Sequence, residues 1–414
     1  VLRAGWAVLT APLGNRDYLL FWLGNLASLT GDQFQIVALT LLVLDLPQGA
    51  VGLGAVLTVQ AVPRVVLTVL SGVVIDRLRP RSVLLASHVC QAVAVAGLVL
   101  LAVTGWVELW HLYVYALVSG TALAFSYPAA STLIPELLPP SQVRSANSLA
   151  VSMLNLTRFL VPPVASWLVA WAGVALAFGV NALSFLVAAL CVGLIRSALP
   201  SRGGREGAPV PWTGQLVSGL RAARDDGVIW LAVVVSTIYS LGYYGTAFVS
   251  LPAFATIDLQ GGEKGVGIIY SALGAGALLG AVLAGATRRL PRSGLIGSAV
   301  TGLNGAALAG AGLSSSIWTT AGALVVSGGC GAVSAVIFFS LVQTRAGEGV
   351  RGRILALYST AIVGMFPLSF GLAGLVNGLL GSRWTVVSGG LVVLLAGVVG
   401  LAGRPMRRAE LPEA

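Results

Sequence analysis

The chain has 414 residues, 57% of them hydrophobic and only 9% charged, with a mean hydropathy of +0.93 and a net charge of +10. A water-soluble domain of this length carries far more surface charge, so the soluble classes are excluded. Placement excludes a nucleic-acid partner, because the basic residues sit in short hinges between apolar runs rather than on one polar face.

A bilayer core of roughly 30 Å takes about 20 apolar residues per helix, and tilted or kinked spans run longer. Breaks at glycine, proline and charge predict an all-α membrane fold of twelve transmembrane helices in two pseudo-symmetric six-helix bundles. The first six are expected near 18–44, 51–75, 82–104, 110–134, 146–170 and 174–196. The second six are expected near 228–255, 265–287, 294–313, 317–343, 352–380 and 384–403. No cleavable secretory signal is expected ahead of the first span. The fifth and sixth spans are joined by almost nothing, around Trp171 to Val174, and should form a tight antiparallel pair.

These spans organise the chain into an N-terminal bundle (1–196), a linker (197–227) and a C-terminal bundle with a short tail (228–414). The linker opens with the loose run SRGGREGAP and closes with an amphipathic helix, Trp212 to Asp226. In that helix Trp212, Leu216, Val217 and Leu220 can face lipid or protein while Arg221, Arg224 and Asp225 face water.

The two halves echo each other. The basic hinge GVVIDRLRPRS, Gly72 to Ser82, returns as TRRLPRSGL, Thr287 to Leu295, with Pro80 and Pro291 lying 211 residues apart. Val143-Arg144 and Val350-Arg351 likewise precede new apolar segments. A membrane protein of two related halves follows the usual plan of a secondary transporter. Charge sets the expected orientation. With both termini cytoplasmic, 20 of the 24 basic residues fall on the cytoplasmic side, which satisfies the positive-inside rule.

Three stretches carry a family resemblance. GVVIDRLRPR resembles the loop signature between the second and third spans of the major facilitator superfamily. Gly72, Asp76, Arg77 and Arg81 fit that signature, whereas Arg79 and Pro80 depart from it. YPAASTLIPELLPPSQVRSAN, Tyr127 to Asn147, resembles the fourth-to-fifth span junction of a bacterial exporter branch. That branch includes macrolide and multidrug efflux proteins and the enterobactin exporter. VRGRILAL, Val350 to Leu357, resembles the start of its eleventh span. RFLVPPVASW keeps Pro162 of the exporter-type antiporter signature but has Val161 where glycine is usual.

The resemblance implies a bacterial plasma-membrane transporter that works by alternating access, as a monomer, on a small-molecule substrate, with membrane lipids around it. It also implies a gate on the cytoplasmic side. Asp76 at a helix end can meet Arg77, Arg81 or the helix start at Arg351 and Arg353. A plain topogenic loop is the alternative reading of that hinge. By analogy with the fold, spans one, four, seven and ten line a midplane cavity. Candidate lining groups are Asn25, Gln35, Phe125, Tyr127, Asn155, Tyr239, Tyr243, Tyr244, Phe338 and Gln343. Aromatic walls suit a bulky amphipathic compound, although tyrosine and tryptophan also anchor spans at interfaces.

Charges inside the membrane are few and costly, so each is informative. Asp32 is the acid placed deep in a span, on one helical stripe with Asn25, Ser28 and Gln35. Arg64 lies near the middle of the second span, and Arg158 lies within the fifth. The protonation of a carboxyl answers both to burial and to a neighbouring guanidinium. Asp32 is therefore the expected coupling site for protons, with Arg158 or Arg64 as counter-ion. A static ion pair and a direct contact to a cationic substrate are the other readings.

Cys90, Cys191 and Cys330 lie in apolar surroundings, and neither they nor His88 and His111 have metal or disulfide spacing. With no phosphate loop or paired carboxylates, an enzyme is not expected and no cofactor is implied. The expected function is export of amphipathic, drug-like compounds, in exchange for protons. A lipid or siderophore transporter on the same fold is the alternative, and a membrane receptor without transport is a third.

Overall fold

The computed structural model describes residues 10–196, 212–286, 291–347 and 350–410, apart from a few side chains within helices. Among these residues ten helical stretches are long and apolar enough to cross a membrane. Two of the ten are double. Pro140–Gly193 breaks at Gly173 and Phe366–Ala402 breaks at Gly381, where φ/ψ is 78°/172° and 81°/166°. That conformation is essentially open only to glycine, so each break ends one span and starts the next within one residue.

We number the spans α1 (Arg16–Leu44), α2 (Gly49–Arg77), α3 (Pro80–Thr104), α4 (Leu109–Leu137), α5 (140–172) and α6 (174–193). The second set is α7 (Gly227–Asp258), α8 (Gly262–Ala286), α9 (Ser293–Leu313), α10 (Ile317–Arg345), α11 (351–380) and α12 (382–402). The linker helix, Trp212–Asp225, precedes α7 and exposes Arg221, Arg224 and Asp225. Its Ala223 is buried with Val228, Ile229, Ile354 and Tyr358. The side chains of Trp212, Leu216 and Val217 lie outside the described residues.

Packing divides the chain into two units, Val1–Leu42 with Val59–Gly207, and Val43–Thr58 with Ala208–Ala414. Besides dividing the linker between the units, this grouping departs from chain order at residues 43–58. Residues 43–58 side with the second unit because small residues let α2 and α11 approach closely. A Cβ at Gly54 would lie 2.7 Å from the Gly374 Cα, and the Thr58 hydroxyl donates to the Pro367 carbonyl at 3.2 Å.

Each unit is fastened where its first helix begins. In the first, Asn15 Oδ1 accepts the Asp17 and Tyr18 amides at 2.9 and 3.0 Å. Its Nδ2 donates to the Leu137 carbonyl at the end of α4 (3.1 Å). In the second, Asp226 Oδ1 caps α7 by accepting the Val228 and Ile229 amides at 2.8 and 3.2 Å. Its Oδ2 accepts from Arg345 Nε at the end of α10 (2.9 Å). Asn15 and Asp226 are 211 residues apart, the spacing of the Pro-Arg-Ser echo.

A second fastener also recurs. Arg81 at the start of α3 donates to the Val192 and Gly193 carbonyls at the end of α6. At the start of α9, the Ser293 hydroxyl and Gly294 amide donate to the Ala409 carbonyl beyond α12 (3.3 and 3.1 Å). Thr287 to Leu290 of the echoed hinge lie outside the described residues.

Candidate functional site

Asp32 lies half-buried midway along α1. The Arg64 guanidinium on α2 acts electrostatically on its carboxylate, and the Asp32 charge in turn is felt by the buried Tyr115 on α4. Close helix approach brings them there. A Cβ at Gly120 would sit 2.1 Å from the Gln60 carbonyl oxygen, so α2 and α4 meet backbone to side-chain-free backbone. Gln60 Nε2 then donates to Ser119 Oγ at 3.1 Å, and Tyr115 shares a hydrogen bond with the same serine. One turn along α2, the Arg64 guanidinium carbon lies 5.4 Å from the centre of the Tyr127 ring. A carboxylate within reach of a cation can hold or release a proton as that neighbour moves.

Other residues read on these stripes go elsewhere. Gln35 is buried and its Oε1 accepts from Asn181 Nδ2 of α6 at 3.1 Å, so it packs its own bundle. Asn25 is half-buried on the same helix. A stripe of helical residues faces more than one neighbour, which is why Gln35 and Asp32 part company. Arg158 is exposed on α5, so the arginine brought to Asp32 is Arg64. The surroundings of Asn155, Gly72 and Asp76 lie outside the described residues. Arg77 is exposed, while Arg81 donates to the Val192 and Gly193 carbonyls of α6. Arg351 and Arg353 are exposed, with Arg351 Nε on the Ala346 carbonyl at 3.3 Å.

In the second unit the aromatic residues of α7 form a continuous belt. Tyr239 and Tyr243 stack with centroids 5.0 Å apart, and Tyr243 meets Tyr244 edge-on at 5.6 Å. Tyr244 packs on Phe366 at 4.2 Å, and Phe248 meets Tyr270 and Phe370, both at 6.3 Å. The Tyr239 hydroxyl accepts from Asn304 Nδ2 of α9 (3.3 Å), whose Oδ1 accepts from Ser327 of α10 (2.8 Å). Below the belt α7 widens into two π-helical turns, Thr246–Ser250 and Phe254–Asp258, on either side of Pro252. Such turns commonly mark functional stretches of a helix.

Four further expectations need correction or placement. Phe338 is 3% exposed and belongs to the core with Val228 and Ile354, because its face of α10 meets α7 and α11. Gln343 is exposed, Tyr127 is exposed, and Phe125 packs partly buried on the core of its own unit. Sequence reading missed Gln60, Tyr115 and Ser119. Gly120 within an otherwise regular span was the available signal, since it marks a close approach.

The family profile described as transmembrane secretion effector matches residues 7–411. The chain belongs to this family of major facilitator superfamily transporters. This major facilitator protein is 26% identical over 408 residues to the multidrug efflux pump Tap of Mycolicibacterium fortuitum, covering 95% of this chain and 97% of that one. It is 24% identical to Tap of Mycobacterium tuberculosis, over 95% and 94% of the two chains.

Among solved structures it resembles a bacterial homologue of the iron transporter ferroportin in an inward-facing state. The TM-score is 0.71 at 20% identity, over 94% of this chain and 98% of that one. It also resembles a D-xylose–proton symporter, with a TM-score of 0.71 at 15% identity over 95% and 97%. These likenesses carry the fold. As a major facilitator protein it is a multi-pass membrane transporter of small molecules and not an enzyme.

Proposed function

We propose that this transporter exports amphipathic, drug-like compounds in exchange for protons. The observation that carries the reading is Asp32, a mid-span carboxylate within electrostatic reach of Arg64 and Tyr115. End-to-end similarity to multidrug efflux pumps supports export as the direction. Asp32 is the proton site, Arg64 its counter-ion, and the belt of Tyr239, Tyr243 and Tyr244 the surface for an apolar or cationic substrate. In this reading the hinge at Asp76 and Arg77 is the working part of the gate. The protein sits as a monomer in a bacterial inner membrane with both termini cytoplasmic, as the distribution of basic residues favours.

Efflux of a fluorescent cationic dye from proteoliposomes under an imposed pH gradient tests the proposal. Native protein should show gradient-driven efflux, and Asp32→Asn should abolish it while still binding the dye. Unchanged efflux in Asp32→Asn removes the proton from Asp32 and leaves it a structural residue. Dominant competition by anionic lipids or siderophores would move the substrate class to those compounds, with Arg64 as the group that recognises them.

A further inference from the structure

At the end of the second unit remote from the linker helix, a cleft of about 320 Å³ opens between the start of α2, the end of α7 and the α11–α12 corner. Its polar lining is Gln48, Asp258, Asn377 and Ser382, and its apolar rim includes Val51 and Ile257, both exposed. Glycine keeps it open. Gly381 has nothing within 4 Å of a built Cβ, and a Cβ on Gly378 would press on Val51 at 2.9 Å.

The lining is rich in acceptors and short of donors. Asn377 is 8% exposed, and its Nδ2 donates to Ser250 Oγ at 2.9 Å and the Ala373 carbonyl at 2.8 Å. The carbonyl bond fixes the amide orientation, because only the nitrogen can donate to it. Asn377 Oδ1 is then buried and accepts no hydrogen bond among the described residues. A buried acceptor without a donor is costly, and a ligand that supplies one is favoured.

The π-helical turn Phe254–Asp258 presents Asp258 to the same cleft, where Oδ2 accepts from the Ser382 hydroxyl. Arg383 Nε stands 3.7 Å from Oδ1, beyond hydrogen-bond distance. The Arg383 Nη1 group is spent on the Gly312 and Ser314 carbonyls at 3.3 and 3.0 Å. Asp258 therefore keeps acceptor capacity toward the cleft. One carboxylate already sharing a cation cannot satisfy a divalent metal, which needs six or more oxygen ligands. An ammonium group needs two or three acceptors, and a hydrocarbon body can lie on Val51 and Ile257.

The geometry points to a binding site in this cleft for the protonated primary amine of an amphipathic compound. The site is separate from the Asp32 cluster, and binding there stands whether or not Asp32 carries a proton. Full-length protein in phosphatidylcholine nanodiscs should be titrated with dansylcadaverine and with its trimethylammonium analogue, which has the same charge but no N–H donors on that nitrogen. Native protein should bind the primary amine more tightly. Gln48→Trp, which fills the cleft from its exposed rim, and Asp258→Asn should each weaken the primary amine by about tenfold, the worth of a hydrogen bond to a charged group. Asp32→Asn should leave that difference between the probes intact.

Equal affinity of the two probes for native protein overturns the site. So does native affinity in Gln48→Trp, which decides the matter by itself should Asp258→Asn fail to fold. Loss of primary-amine binding in Asp32→Asn, with Gln48→Trp unaffected, assigns the amine to the α1 cluster and also overturns the proposal.

Discussion

Tyr115 is a buried phenol that shares a hydrogen bond with Ser119 and feels the charge of Asp32, so it stands next to both the acid of α1 and the polar contact between α2 and α4. Replacing it by phenylalanine keeps the ring and deletes one hydrogen bond, worth about 1 kcal/mol. Tyr115→Phe should leave the folded protein's melting temperature near native. It should lower gradient-driven efflux by roughly fivefold and move its pH profile. An unmoved pH profile, measured in proteoliposomes from acid to alkaline external pH, would make Tyr115 a packing residue.

Asp32 and Arg64 stand out in the sequence because charge is rare inside apolar runs. Tyr115, Gln60 and Ser119 do not, since tyrosine, glutamine and serine occur throughout membrane helices. A helical stripe says which residues share a face, but not which helix the face meets. Gln35 shows the limit: it shares the stripe of Asp32 and yet bonds Asn181 on α6.

At the scale of the element, hydropathy and punctuation locate the spans well, because a bilayer imposes one length on every helix. The reversal near Trp171 to Val174 is legible for the same reason: two membrane lengths follow each other without a loop. Less legible are the π-helical turns of α7. They arise from an additional residue per turn around Pro252, and the apolar pattern on either side is unbroken. Gly173 and Gly381 make a sharper prediction. At φ near +80° with ψ near 170°, alanine is strained whatever space surrounds it, and nothing lies within 4 Å of either built Cβ. Gly173→Ala and Gly381→Ala should each cost about 1–3 kcal/mol through backbone strain alone. Thermal unfolding in detergent would read this as a lowered melting temperature, and a native melting temperature in both variants would show that the corners relax without penalty.

For the whole molecule, the positive-inside rule makes a prediction independent of transport. Arg79 is exposed in the hinge between α2 and α3. In a background where Cys90, Cys191 and Cys330 are replaced by serine, Arg79→Cys should react with a membrane-impermeant thiol reagent only after the cytoplasmic side is opened. Labelling in intact cells would reverse the orientation. The two-unit division refines what the sequence echo suggests. Chain order alone assigns residues 43–58 to the first half, and only the contacts at Gly54 and Thr58 reveal that they pack with the second.

The paired fasteners have a consequence for descent. Asn15 and Asp226 hold corresponding helices, yet one ends on a backbone carbonyl and the other on Arg345. A contact lying wholly inside one half is already needed by a half-length ancestor that assembles as a pair, before any linker exists. After fusion the two copies are free to drift in chemistry while their geometry is held. Exchanging the neutral fastener for the ionic one, with Asn15→Asp and Leu138→Arg in one half, would then test whether either chemistry holds the same geometry.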